Sequence, residues 1–89
     1  MELRFITNLD KYDNAFPENV RSDIVPRKGE NVFVKKSLIN EFLRKKLPPK
    51  LEVVYVSYHF NTGNQYAVIE LWYNKTDFKS LQQSGIDPF

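Results

Sequence analysis

The chain holds one histidine, His59, and no cysteine. Disulfides and thiolate metal sites are thereby excluded, and no Ser-His or Cys-His nucleophile pair is recognisable by spacing. A catalytic base needs a partner within hydrogen-bond reach. A lone histidine among strand residues reads instead as a hydrogen-bonded rim side chain. Two carboxylates, Glu52 and Glu70, can meet across a hairpin, but like charges directly opposite destabilise a sheet, so a register that separates them is expected. Asn74-Lys75-Thr76 spells a glycosylation sequon, which the absence of an export signal makes accidental; Thr76 is better explained as a helix cap. On this inventory the chain is not read as an enzyme, and neither cofactor nor metal is expected.

Two other groups of residues can bind. Net charge is only +2, yet residues 1–26 carry 3 basic and 5 acidic side chains, residues 27–50 carry 8 and 2, and residues 51–89 carry 2 and 4. Arg27, Lys28, Lys35, Lys36, Arg44 and Lys46 are therefore the candidate polyanion-binding set, because clustered Lys and Arg are the footprint of a phosphate-binding surface. Against this, Lys45 can pair with Glu41, Arg44 and Lys46 suit a helix C-terminus, and Lys35 and Lys36 point to opposite sides of a strand, so about half can share one patch. Tyr55, Tyr66 and Trp72 form a candidate protein interface, since aromatics anchor interfaces and stack on bases. The competing expectation is cover by a C-terminal helix or by residues 10–25.

The elements that must position these groups are legible in outline. LEVVYVSYHF and QYAVIELWY are β-branched and aromatic, each is about a strand long, and Asn61-Thr62-Gly63-Asn64 separates them, which predicts a β-hairpin. Alternation places Val54, Val56, Tyr58 and Phe60 with Ala67, Ile69, Leu71 and Tyr73 on a core face. Val53, Tyr55, Ser57 and His59 with Tyr66, Val68, Glu70 and Trp72 take the other. Residues 2–9 read as a first strand, residues 10–27 as turn-rich chain with a short extended edge near Val20, Ile24 and Val25, and Val32 to Val34 as another strand. Ser37 to about Leu47 has the apolar spacing of a helix (Leu38, Ile39, Phe42, Leu43, Leu47), ended by Pro48-Pro49. Thr76 begins a second short helix at about 77–84, stopped by Gly85.

The expected fold is mainly β with two short helices: one domain over 1–89, a small SH3-like antiparallel barrel or curved sheet with an inserted helix at about 37–47 and a C-terminal helix at about 77–84. An open α+β sheet with helices on one face is the alternative. With 15% aromatic residues, large side chains supply much of the burial in so small a core. No apolar run approaches the roughly 20 residues that cross a bilayer, and no signal peptide opens the chain, so no membrane contact and a cytoplasmic location are expected.

Ile24 to Val34, IVPRKGENVFV, resembles the Pro-Arg-x-Gly-Asp/Glu-x-Val pattern of short uncharacterised bacterial and phage proteins with a small SH3-like barrel, with Glu30 at the commoner Asp position. The resemblance implies the fold and carries over no functional residue. Within the sequence, Pro26 and Gly29 form a turn into the next strand, Gly29 supplying a positive φ angle. The expected function is a non-catalytic module binding a protein or acidic partner. A nucleic-acid-binding small barrel and a phage-type inhibitor of a host defence protein are the alternatives. Oligomeric state is left open.

Overall fold

A computed structural model describes residues 1–11, 13–44 and 50–72. The strands are β1 (Glu2–Ile6), β2 (Val20–Arg21), β3 (Asn31–Phe33), β4 (Lys50–Asn61) and β5 (Asn64–Trp72), and two 3-10 turns occupy Asn8–Lys11 and Lys36–Leu38. They form one curled sheet in the order β2-β1-β5-β4-β3, a half-barrel without an α-helix among the described residues.

The β4–β5 hairpin forms where its composition predicts, closed at Asn61 and Asn64 around a two-residue turn in which Gly63 has φ 79. Gly29 adopts φ 91 at the turn into β3, as its position after Pro26 implies. Its N–H donates to the Val53 carbonyl at 2.8 Å, and the Glu30 carboxylate accepts from the Arg27 N–H.

Not every pairing is antiparallel. β1 lies parallel to β5, with Leu3 beside Ala67 and Phe5 beside Ile69, whereas β1–β2, β3–β4 and β4–β5 are antiparallel. Parallel neighbours need a long crossover. Here the chain after β1 supplies it and becomes the second layer of the core. Leu9, Ala15, Phe16, Val34, Ile39 and Leu43 are buried against Leu3, Leu51, Val53, Ala67, Ile69 and Leu71. Each Val, Leu, Ile or Phe among them contributes about 1.5–3 kcal/mol when fully buried.

A β-bulge revises the expected face of β4. Val53 opposes Leu71 and Tyr55 opposes Glu70, so Val54 is the extra residue. The bulge exchanges the two faces at that point. Leu51 and Val53 point into the core before it, and Val56 packs against the core after it. Val53 is therefore a core residue, contrary to strict alternation. Tyr58 and Phe60 share the face of Val56 but are exposed, because the hairpin outruns its neighbours: β3 reaches only Glu52 and β1 only Tyr66. On β5, Ala67, Ile69 and Leu71 are buried as expected.

The helix expected at 37–47 does not form over its described part. Ile39 is extended (φ −100, ψ 139) directly after the 3-10 turn. The Asn40 side chain then accepts the Phe42 N–H at 2.8 Å, and the Asn40 N–H donates to the Ala15 carbonyl at 2.8 Å. Asparagine competes with helix by bonding nearby backbone in this way. Ile39 and Leu43 are buried as helical spacing suggests, but Phe42 is exposed. The open α+β alternative fails for the same reason, since irregular chain and 3-10 turns cover the inner face. The strand expected over residues 2–9 stops at Ile6 because Asp10 clamps a turn, accepting from the Thr7 N–H at 3.1 Å and the Ala15 N–H at 2.8 Å. The extended edge narrows to Val20–Arg21, and Ile24 is exposed. The helix at about 77–84, Thr76 and the sequon lie outside the described residues.

Candidate functional site

The outer face of the sheet collects the side chains that alternate away from the core. β1 contributes Glu2, Arg4 and Ile6, β5 contributes Tyr66, Val68, Glu70 and Trp72, and β4 contributes Tyr55, Ser57 and His59. The side chains interlock. The Arg4 guanidinium carbon lies 3.6 Å from the centroid of the Tyr66 ring. From the opposite neighbouring strand, the His59 ring stacks on Tyr66 at 4.7 Å between centroids and 5° between planes. Tyr66 is thus held between a cation and an imidazole, and the cation–π contact is worth about 0.5–1 kcal/mol at an exposed site.

Hydrogen bonds fix both ends of this stack. Arg4 Nε donates to Glu2 Oε2 at 3.0 Å, and Asn19 Nδ2 donates to Glu2 Oε1 at 3.3 Å. Ser57 Oγ and His59 Nε2 are 3.1 Å apart. Further along, the Trp72 indole N–H donates to Glu70 Oε1 at 3.2 Å. Tyr55 stands beside Glu70 and is 59% exposed.

Of residues 10–25, considered above as cover for Tyr55, Tyr66 and Trp72, Ala15, Phe16 and Val25 pack instead on the inner face, where Phe16 meets Phe5 at 5.7 Å between ring centroids; the C-terminal helix considered with them lies outside the described residues. Tyr66 and Trp72 are half-buried. The register separates the two carboxylates considered for chemistry: Glu52 opposes Trp72, and Glu70 opposes Tyr55.

Ser57 and His59 are a pair that spacing alone did not reveal. Position i and i+2 on a strand share a face, which is the signal that could have found them. Nucleophilic catalysis also needs a group orienting the base and donors for the developing oxyanion. Among the described residues His59 has only Ser57 and the Tyr66 ring as recorded partners. Arg4 was also missed, though its place between Leu3 and Phe5 assigns it to the outer face.

The basic set is only partly a surface. Arg27, Lys28, Lys35 and Lys36 are exposed, before and after β3, and between the two pairs Phe33 is 74% exposed. Arg44 is half-buried, and its Nη2 donates to the Ile39 carbonyl at 3.4 Å, so it does not belong to a solvated patch. Lys46 lies outside the described residues. A separate cleft of about 390 Å³ is lined by Met1, Glu2, Arg21, Asn61, Gly63, Asn64 and Gln65. Its Glu2 carboxylate is already bonded to Arg4 and Asn19. Among the described residues no group of three or more His, Cys, Asp or Glu is placed to hold a metal ion, and no helix is long and apolar enough to cross a membrane.

No protein-family model, curated protein or solved structure matches this chain.

Proposed function

We propose that this protein is a non-catalytic interaction module that binds a protein partner through the outer face of its sheet. The observation that carries this reading is the Arg4–Tyr66–His59 stack with Tyr55 exposed further along the same face. Rings already fixed by their neighbours lose little rotamer freedom on binding, so preorganised aromatics make efficient interface anchors. The charges of the face also balance. Glu2, Glu52 and Glu70 share it with Arg4, Arg21 and Lys50, and Glu2 stands directly opposite Arg21. A surface of balanced charge suits a folded protein better than a polyanion. A phage-type inhibitor of a host defence protein falls within this class. We read the curled sheet as an SH3-like small barrel on the strength of the Ile24–Val34 segment, whose Gly29 has the positive φ its turn requires.

The test is affinity capture from the native host with wild type, Tyr55→Ala, and Lys35→Glu/Lys36→Glu. A partner lost with Tyr55→Ala and kept with the charge reversal is the expected result. The opposite pattern refutes the reading.

A second reading, nucleic-acid binding, is favoured by one observation, the exposed Phe33 between Arg27-Lys28 and Lys35-Lys36. Exposed aromatics among basic residues stack on unpaired bases. Its affinity for short DNA or RNA would fall with salt at a log-log slope of about −0.7 per neutralised phosphate for single strands and −0.9 for duplex. Absence of binding in anisotropy titrations at low salt removes it.

A further inference from the structure

We propose that the open edge of β4, from Val56 to Phe60, is a self-association surface on which a second copy of this chain adds antiparallel, about a two-fold axis at Tyr58. This surface is a strand edge and is independent of the outer face assigned to the partner above.

The edge follows from the sheet geometry. Val53 directs both backbone groups toward β3, its N–H donating to the Glu30 carbonyl at 2.9 Å and its carbonyl accepting from Gly29 at 2.8 Å. Beyond Val53 no described strand flanks β4 on that side. Backbone direction alternates along a strand, and the bulge at Val54 absorbs one residue. The N–H and C=O groups of Val56, Tyr58 and Phe60 therefore face outward, while those of Ser57, His59 and Asn61 face β5. Counting back from the closing pair Asn61–Asn64 gives the same assignment.

Three features make a second copy the fitting occupant. From Val53 through Ile69 the chain has no Lys, Arg, Asp or Glu and no Pro, although charged residues are 27% of the whole. Natural sheet edges usually carry such residues to block pairing. Two copies consequently meet here without apposing like charges, and the edge offers no charge that would select a different sequence. The backbone groups are also self-complementary about Tyr58. Tyr58 meets the partner's Tyr58, and Val56 meets the partner's Phe60, so every outward donor finds an acceptor. Finally, Tyr58 and Phe60, 51% and 68% exposed, are stacked with ring centroids 6.4 Å apart and planes 9° apart. In the paired arrangement these aromatics lie beside those of the partner on one face, the cross-strand arrangement that stabilises sheets.

Sedimentation of the full chain from micromolar to millimolar concentration tests this. Wild type is expected to approach twice the monomer mass, and Tyr58→Lys/Phe60→Lys, at exposed positions, is expected to weaken association at least tenfold with a urea midpoint unchanged at low concentration, where both proteins are monomers. The chain has no cysteine of its own, so single cysteines report the register. In the proposed pairing Ser57→Cys brings two thiols within about 8 Å, and Thr62→Cys leaves them about 27 Å apart, at roughly 3.4 Å per residue along the strands. A short bis-maleimide should crosslink the first and not the second. A wild-type monomer at millimolar concentration, open-ended assembly, a dimer untouched by the lysine pair, or equal crosslinking of both cysteine variants would each overturn the proposal.

Discussion

Ile69→Ala tests the assignment of the two faces most directly. Ile69 sits on β5 with β1 and β4 on either side, beside Phe5 and Val56, and is fully buried. The substitution deletes three carbons, a transfer loss of about 2.4 kcal/mol at about 0.8 kcal/mol per buried CH₂. If roughly 80 Å³ stayed empty, the cavity would add about 1.9 kcal/mol at about 24 cal/mol per Å³. Because β5 is held between the β1 and β4 ladders on its two flanks, the site cannot collapse fully, and a total of about 2.5–4 kcal/mol is expected. Val68→Ala, one residue earlier and half-buried on the outer face, is the control. It removes two half-covered carbons and should cost under about 1 kcal/mol. Urea unfolding with a shared m-value measures both, and the Ile69→Ala melting temperature should drop by about 10 °C or more. A loss below about 1 kcal/mol for Ile69→Ala, or a larger loss for Val68→Ala, would show that the faces are reversed.

Other outcomes follow from single features of the fold. Deletion of Val54 removes the bulged residue and leaves Val53 and Val56 facing inward, so cooperative urea unfolding should persist. Asp10→Ala strips a charged acceptor from the Thr7 and Ala15 N–H groups and should cost about 2–3 kcal/mol in urea unfolding, Asp10→Asn recovering part of it. Gly29→Ala and Gly63→Ala should each cost about 1–2 kcal/mol, a backbone cost of positive φ, since nothing lies within 4 Å of a Cβ added at either position. D-alanine introduced at residue 29 by ligation should restore the wild-type melting temperature, and a steric origin would leave it lowered.

The local signals that proved reliable are those set by neighbours in the chain. β-branched and aromatic runs around Thr62-Gly63 are enough to specify a hairpin, and Pro26 with Gly29 is enough to specify a turn, because sterics and turn chemistry act over a few residues. Alternation likewise assigned Ala67, Ile69 and Leu71 to the core and Tyr66 and Trp72 to the other face. What alternation could not contain is the extra residue at Val54. A bulge exists only relative to the strand opposite, and it moved Val53 inward. The parallel seat of β1 beside β5 was equally invisible, since it depends on a crossover closing over the sheet. The helical spacing of Leu38, Ile39, Phe42 and Leu43 was real as an apolar pattern, but Asn40 satisfied nearby backbone groups locally and burial was reached without a helix. The candidate surface divides in the same way. The residue types of Tyr55, Tyr66, Trp72 and His59 were readable one by one. The arrangement of Arg4, Tyr66 and His59, from three strands up to 62 positions apart, was decided only when tertiary pairing brought β1, β5 and β4 side by side.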